Sequence, residues 1–120
     1  MYLLVLILDK TKDFENLIPK WKEIGITGVT IFDSIGIGKN TLYESNIPII
    51  ASLAKIFDSD NRKYNHTLLS VMESEEMLLK AIKAVEDVCG DFTQPDVGIM
   101  FSIKLDRVIG FTPINNNNNL

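Results

Sequence analysis

The run YLLVLIL, residues 2–8, is apolar at every position and is closed by Asp9. A stretch this short and aliphatic fits a buried strand better than a helix. VGIMFSI, residues 97–103, has the same character. A sheet open to water on one side alternates apolar and polar residues along its strands, and neither run does so. The chain must therefore build a sheet around these two strands and cover both of its faces.

Between them, Phe14, Leu17, Ile18, Trp21 and Ile24 fall at spacings of three and four, the stripe of an amphipathic helix that ends at Gly25. Pro19 lies inside the stripe and predicts either a kink or a helix that begins near Asn16, because proline lacks the N–H and clashes with residue i−4. GVTIF, residues 28–32, reads as a second strand after the turn residues of GITG, and TLLSVM, residues 67–72, as a third. Ser74 then stands as an N-cap with Glu75 and Glu76 in the first turn, where negative charge suits the helix dipole. Met77, Leu78, Ala81, Ile82, Val85 and Val88 form a second stripe, stopped by Gly90. The loop DFTQPD leads to the strand at 97–103, and DRVIGF, residues 106–111, is expected to add a short fifth strand. INNNNNL closes the chain, and residues 115–120 read as a disordered, Asn-rich tail.

The order β-α-β, long insertion, β-α-β predicts an α+β, ferredoxin-like βαββαβ fold, with an antiparallel sheet, both helices on one face and a long loop between strands 2 and 3. Two helices cover one face only. The second apolar face is then expected to be buried in a homo-oligomer, which makes clefts between subunits available as sites.

At 120 residues, 46% hydrophobic and 23% charged, the chain has the size of one domain, assigned to residues 1–114 with an insertion at about 36–66. A net charge of −4 and a pI near 4.9 leave no basic surface to hold a phosphate backbone, so nucleic acid is not an expected partner. Cys89 is the single cysteine and can form no internal disulfide. No apolar run approaches 18 residues, and the N-terminus lacks a basic region followed by a long apolar stretch and a cleavage site. The expectation is a cytoplasmic chain without membrane insertion.

DSIGIGKN, residues 33–40, runs from a strand through Gly36 and Gly38 to Lys39 and Asn40. Glycines at a strand exit allow positive φ and close backbone approach, and a backbone so shaped can present N–H groups to an anion. The same residues also serve as an ordinary loop hinge. His66 is the only histidine and has no Cys or second His beside it, so no metal site is expected and its role reads as structural or as a surface residue. Cys89 reads as a packed thiol, the Glu73, Glu75 and Glu76 group as a solvated helix start, and Arg107 as half of a surface ion pair. No catalytic residues are assigned and the chain is not expected to be an enzyme, since it holds no nucleophile–base pair or convergent His/Asp set. IPIIASLAKIF, residues 47–57, is too short to span a bilayer. It reads as a short helix folded back on the assembly or as a free effector arm, with the polar residues 58–64 more mobile than the segment before them.

EIGITGVTIFDSIGIGKN, residues 23–40, resembles the end of the first helix, the second strand and the start of the T-loop in the nitrogen regulatory P-II proteins, which carry a similar GITG run followed by Gly-x-Gly-Arg-Gln. TLLSVMESEEMLLKAIKAVEDVCG and VGIMFSIKLDRVIGF agree with that family's third strand, second helix and final strand in order, length and apolar pattern. The likeness covers about 90 of the 120 residues. It implies a homotrimeric signalling protein that binds an adenine nucleotide in clefts between subunits and acts on a transporter or enzyme through its long loop, here residues 41–66. Carried across, it implies ligand contacts at Thr30, Gly36, Gly38, Lys39, Asn40 and Gly98.

The chain departs from the family in ways that bear on the ligand. The Gly- and Lys-rich B-loop is replaced by CGDFTQPDVGI, with Gly98 the one glycine match and Ile99 at the lysine's place, and the paired arginines of the family align with Gly110 and Thr112. Lys39 and Asn40 replace the Arg-Gln pair, a point charge for a bidentate fork. With charge lost around the phosphates, the implied effector is AMP or ADP. Two other readings are a ligand-free interaction module, favoured by the altered B-loop, and a small oligomeric isomerase or oxygenase on the same frame.

Overall fold

The computed structural model describes residues 1–36 and 64–112. The segment 47–57, the polar stretch after it, Gly38, Lys39, Asn40 and the Asn-rich tail lie outside the described residues.

Strand β1, Tyr2–Leu8, is the run that opens the sequence. Helix α1, Thr11–Ile24, follows and passes through Pro19 without a break. The start near Asn16 is thus corrected to Thr11. The reason is placement: Pro19 and Glu15, whose carbonyl the proline leaves without its helical partner, both face solvent, where water can serve that carbonyl. The helix ends in a Schellman motif. Gly25 adopts φ 105°, its N–H reaches the Lys22 carbonyl at 3.1 Å, and the Ile26 N–H reaches the Trp21 carbonyl at 2.8 Å.

Strand β2 is Thr30–Ile35, later than the expected 28–32, and strand β3 is Tyr64–Met72, three residues earlier than expected. Polar residues extend this ladder: Asp33 pairs with His66 and Ser34 with Asn65, so the strands continue where the apolar pattern stops. Helix α2, Glu75–Cys89, begins at Ser74, whose Oγ accepts the Met77 N–H at 3.2 Å. Strand β4 is Gly98–Lys104. Residues 106–111 form no strand, which corrects the expected fifth. The ladder's last described tie is the Leu105 N–H to the Met1 carbonyl at 2.9 Å, after which Ile109 is almost wholly exposed and Gly110 turns with φ 93°.

The fold is α+β: a four-stranded antiparallel sheet in the order β2-β3-β1-β4, with two helices. β3 lies between β1 and β2, and β1 lies between β3 and β4, so each β-α-β unit is split by a strand of the other. Leu4, Leu6 and Leu8 of β1 and Leu68 and Met72 of β3 share one sheet face. That face meets Phe14, Leu17 and Trp21 of α1 and Leu78, Ala81 and Val85 of α2 in a single core cluster. The Trp21 indole N–H also donates to the Ala81 carbonyl at 3.2 Å, which joins the two helices across the core.

Among the described residues, the other face carries no helix. Its rows, read across the sheet from the pairing register, are Ile103–Leu3–Val71, then Phe101–Val5–Leu69–Thr30, then Ile99–Ile7–Thr67–Phe32. Val5 at the centre is nearly buried by its neighbours, yet Phe32 keeps 46% of its surface exposed, Ile99 56%, Phe101 43% and Ile103 48%. The doubly apolar pattern of the two strands therefore has one half satisfied by the helices and one half facing outward. Among the described residues, no helix is long and apolar enough to cross a membrane.

Candidate functional site

The described candidate residues occupy separate places on the sheet. Thr30 opens β2, is exposed, and lies on the helix-free face opposite Leu69. Gly36 follows the other end of β2, six residues on, which at about 3.3 Å per residue is roughly 20 Å away. Gly98 begins β4 in the row Gly98–Leu8–His66–Asp33, so it shares an end of the sheet with Gly36 but sits on the opposite edge. Three inter-strand steps separate those edges, roughly 14 Å. Within one chain, then, Gly98 does not meet the β2 residues around one small ligand.

Local structure explains two of the glycines. At Gly98, φ is 138° and an added Cβ would stand 2.2 Å from the Ile7 carbonyl oxygen, so the close approach of β1 already demands glycine there. At Gly36 an added Cβ would meet the Asn65 amide nitrogen at 2.7 Å. Asn65 belongs to a hydrogen-bonded trio on the helix-free face: Thr67 Oγ1 and Ser34 Oγ are 2.8 Å apart, and the Ser34 hydroxyl donates to Asn65 Oδ1. Asn65 and Thr67 are both buried. This trio braces the two points at which the long insertion leaves and rejoins the sheet.

On the opposite face of the same ladder, His66 Nδ1 lies 2.9 Å from Asp33 Oδ1. The His66 ring stands edge-on to Phe14, with centroids 5.4 Å apart and planes at 87°. The histidine thus ties β3 to β2 and to α1. Among the described residues, no group of three or more His, Cys, Asp or Glu side chains could hold a metal ion. Burial, with a smaller contribution from Asp13, pushes the Cys89 thiol up to about 11, which keeps it protonated and a poor nucleophile at neutral pH. Arg107 is exposed and takes no part in the ion pairs among the described residues, which join His66 to Asp33, Lys80 to Glu76 and Lys83 to Asp87.

Two clefts flank the segment that follows β4. One, of about 420 Å³, lies between the α1–β2 turn, the β3–α2 junction and Gly110–Thr112. The other, of about 390 Å³, lies on the helix-free side against Leu3, Thr30, Leu69 and Val71. The polar trio and both clefts escape the apolar-periodicity reading. The signal for the trio was nonetheless present: Asp33–Ser34 before the insertion and Asn65–His66–Thr67 after it are polar groups placed to face each other if the flanking strands pair.

No protein-family model matches the chain, and no curated protein matches its sequence.

Proposed function

We propose that this chain is a P-II-like regulatory protein: a ferredoxin-like protomer that assembles as a homotrimer, takes up AMP or ADP in clefts between subunits, and acts on a partner protein through residues 41–66. It is read as a cytoplasmic regulator and not as a catalyst. The observation that carries this reading is the sheet face that holds no helix among the described residues, where Ile99, Phe101 and Ile103 stand exposed around Val5 and Phe32 stands exposed at the β2 edge. Contiguous apolar surface of this kind marks an association surface. Support for the ferredoxin-like frame comes from the strand order, in which each β-α-β unit is split by the other.

Assembly also bears on the ligand. Gly98 and the β2 residues stand on opposite edges of one sheet, so a small molecule touching both has to lie between two copies. There the phosphates would be held by N–H groups around Gly36 and Gly38, by the Lys39 ammonium, with Asn40 beside it, and by Gly98 of a neighbouring copy, while Thr30 would lie along the β2 edge. Loss of the family's B-loop lysine and paired arginines removes about 1.5–3 kcal/mol for each missing charge-assisted contact, and triphosphate loses most.

Calorimetry on the purified chain tests this. Binding of AMP or ADP at micromolar or weaker affinity, weakened further by Lys39→Ala, is the expected result. Tight magnesium-ATP binding that survives Lys39→Ala would overturn the charge accounting, and no adenine nucleotide binding at all would leave the ligand-free interaction module. That second reading is favoured by Ile99, which stands at the B-loop lysine's place and offers an exposed apolar side chain instead.

A further inference from the structure

The cleft between the α1–β2 turn and the β3–α2 junction belongs to none of the residues assigned to the nucleotide. Its volume of about 420 Å³ suits a small organic molecule. The half-buried Ile24, Met77 and Phe111 line it, with the buried Ile26 and Met72 behind them. The walls are fixed by their own local structure. The Schellman motif after α1 holds Ile26 back against Trp21, and the Ser74 cap fixes the turn of α2 that carries Met77. The Met77 thioether gives the apolar part of the lining some tolerance of ligand shape.

Glu73 is the one charged residue among the described residues of the lining, and it is exposed. The positive end of α2 beside it is already met by the Ser74 hydroxyl and by Glu75 and Glu76 in the first turn. Among the described residues of the lining, an anion meets a carboxylate and no cation. We infer that this cleft is a binding site for a small organic cation, an ammonium group attached to an aromatic or aliphatic body, with the body against Ile24, Met77 and Phe111 and the ammonium at Glu73. Its chemistry is the opposite of that required by a phosphate, and Gly110 and Thr112, which align with the paired arginines of the P-II proteins, bring no charge to this lining.

A titration of the full chain, observed at labelled Ile and Met methyl groups by NMR, tests the site with 2-phenylethylamine and with 3-phenylpropanoate, which joins the same ring to a carboxylate. The amine should move the methyl signals of Ile24, Ile26, Met72 and Met77 saturably. It should bind about fivefold more tightly than the carboxylate, the scale of one solvent-exposed charge pair, with the preference fading as salt is added. Glu73→Gln, a change at an exposed position, should abolish the preference while the methyl shifts remain. The inference is overturned if the amine gives no saturable shift at these methyls, if the carboxylate binds as tightly as the amine, or if the preference survives Glu73→Gln.

Discussion

A methyl group at Gly98 would stand 2.2 Å from the Ile7 carbonyl oxygen, on a backbone already at φ 138°. Gly98→Ala should therefore cost about 2–3 kcal/mol from strain and steric conflict, measured by urea unfolding, whatever the glycine does for a ligand. Gly28→Ala is the matched control, since an added Cβ there meets nothing within 4 Å. Cys89 gives a second prediction at this scale. Its folded thiol ionises near 11 against 9.0 for the free group, so the protonated form contributes stability that is whole below about pH 9. As pH rises from about 9 towards 11 the unfolded thiol ionises first and that contribution drains away. Wild type should lose stability over this window more steeply than Cys89→Ala, and superimposable profiles would contradict the burial assigned to the thiol.

Elements were legible where periodicity and caps agreed. The Ser74 cap, the two glutamates after it and the stop at Gly90 placed α2 at Glu75–Cys89. Ser74→Ala should cost about 1 kcal/mol, seen as a lowered unfolding midpoint with unchanged slope. The sheet ladder was less legible, because polar cross-strand pairs at Asp33–His66 and Ser34–Asn65 sustain β2 and β3 beyond their apolar runs. The apparent fifth strand failed for the converse reason. Val108, Ile109 and Phe111 look strand-like, but Ile109 has no sheet partner and Gly110 turns the chain, so an apolar alternation ends as coil. Of the candidate site, sequence located the glycines but not their separation across the sheet, since strand order decides which edges they occupy.

At the scale of the whole molecule, the helices fill one side of the sheet and leave Phe32, Ile99, Phe101 and Ile103 on the other. The two faces of the sheet should therefore respond differently to charge. Leu6 is fully buried under the helices, and Leu6→Asp should unfold the chain, since an unpaired buried charge costs several kcal/mol. Phe101 lies beside Val5 on the open face, and an aspartate there should be tolerated in a lone protomer but not in an assembly that buries this face. Sedimentation equilibrium on wild type and Phe101→Asp tests the central claim most directly. The expected wild-type mass is near three times the 13.5 kDa chain, with a folded Phe101→Asp protomer near 13.5 kDa by the same measurement. A wild-type chain that stays at 13.5 kDa throughout the micromolar range would contradict it.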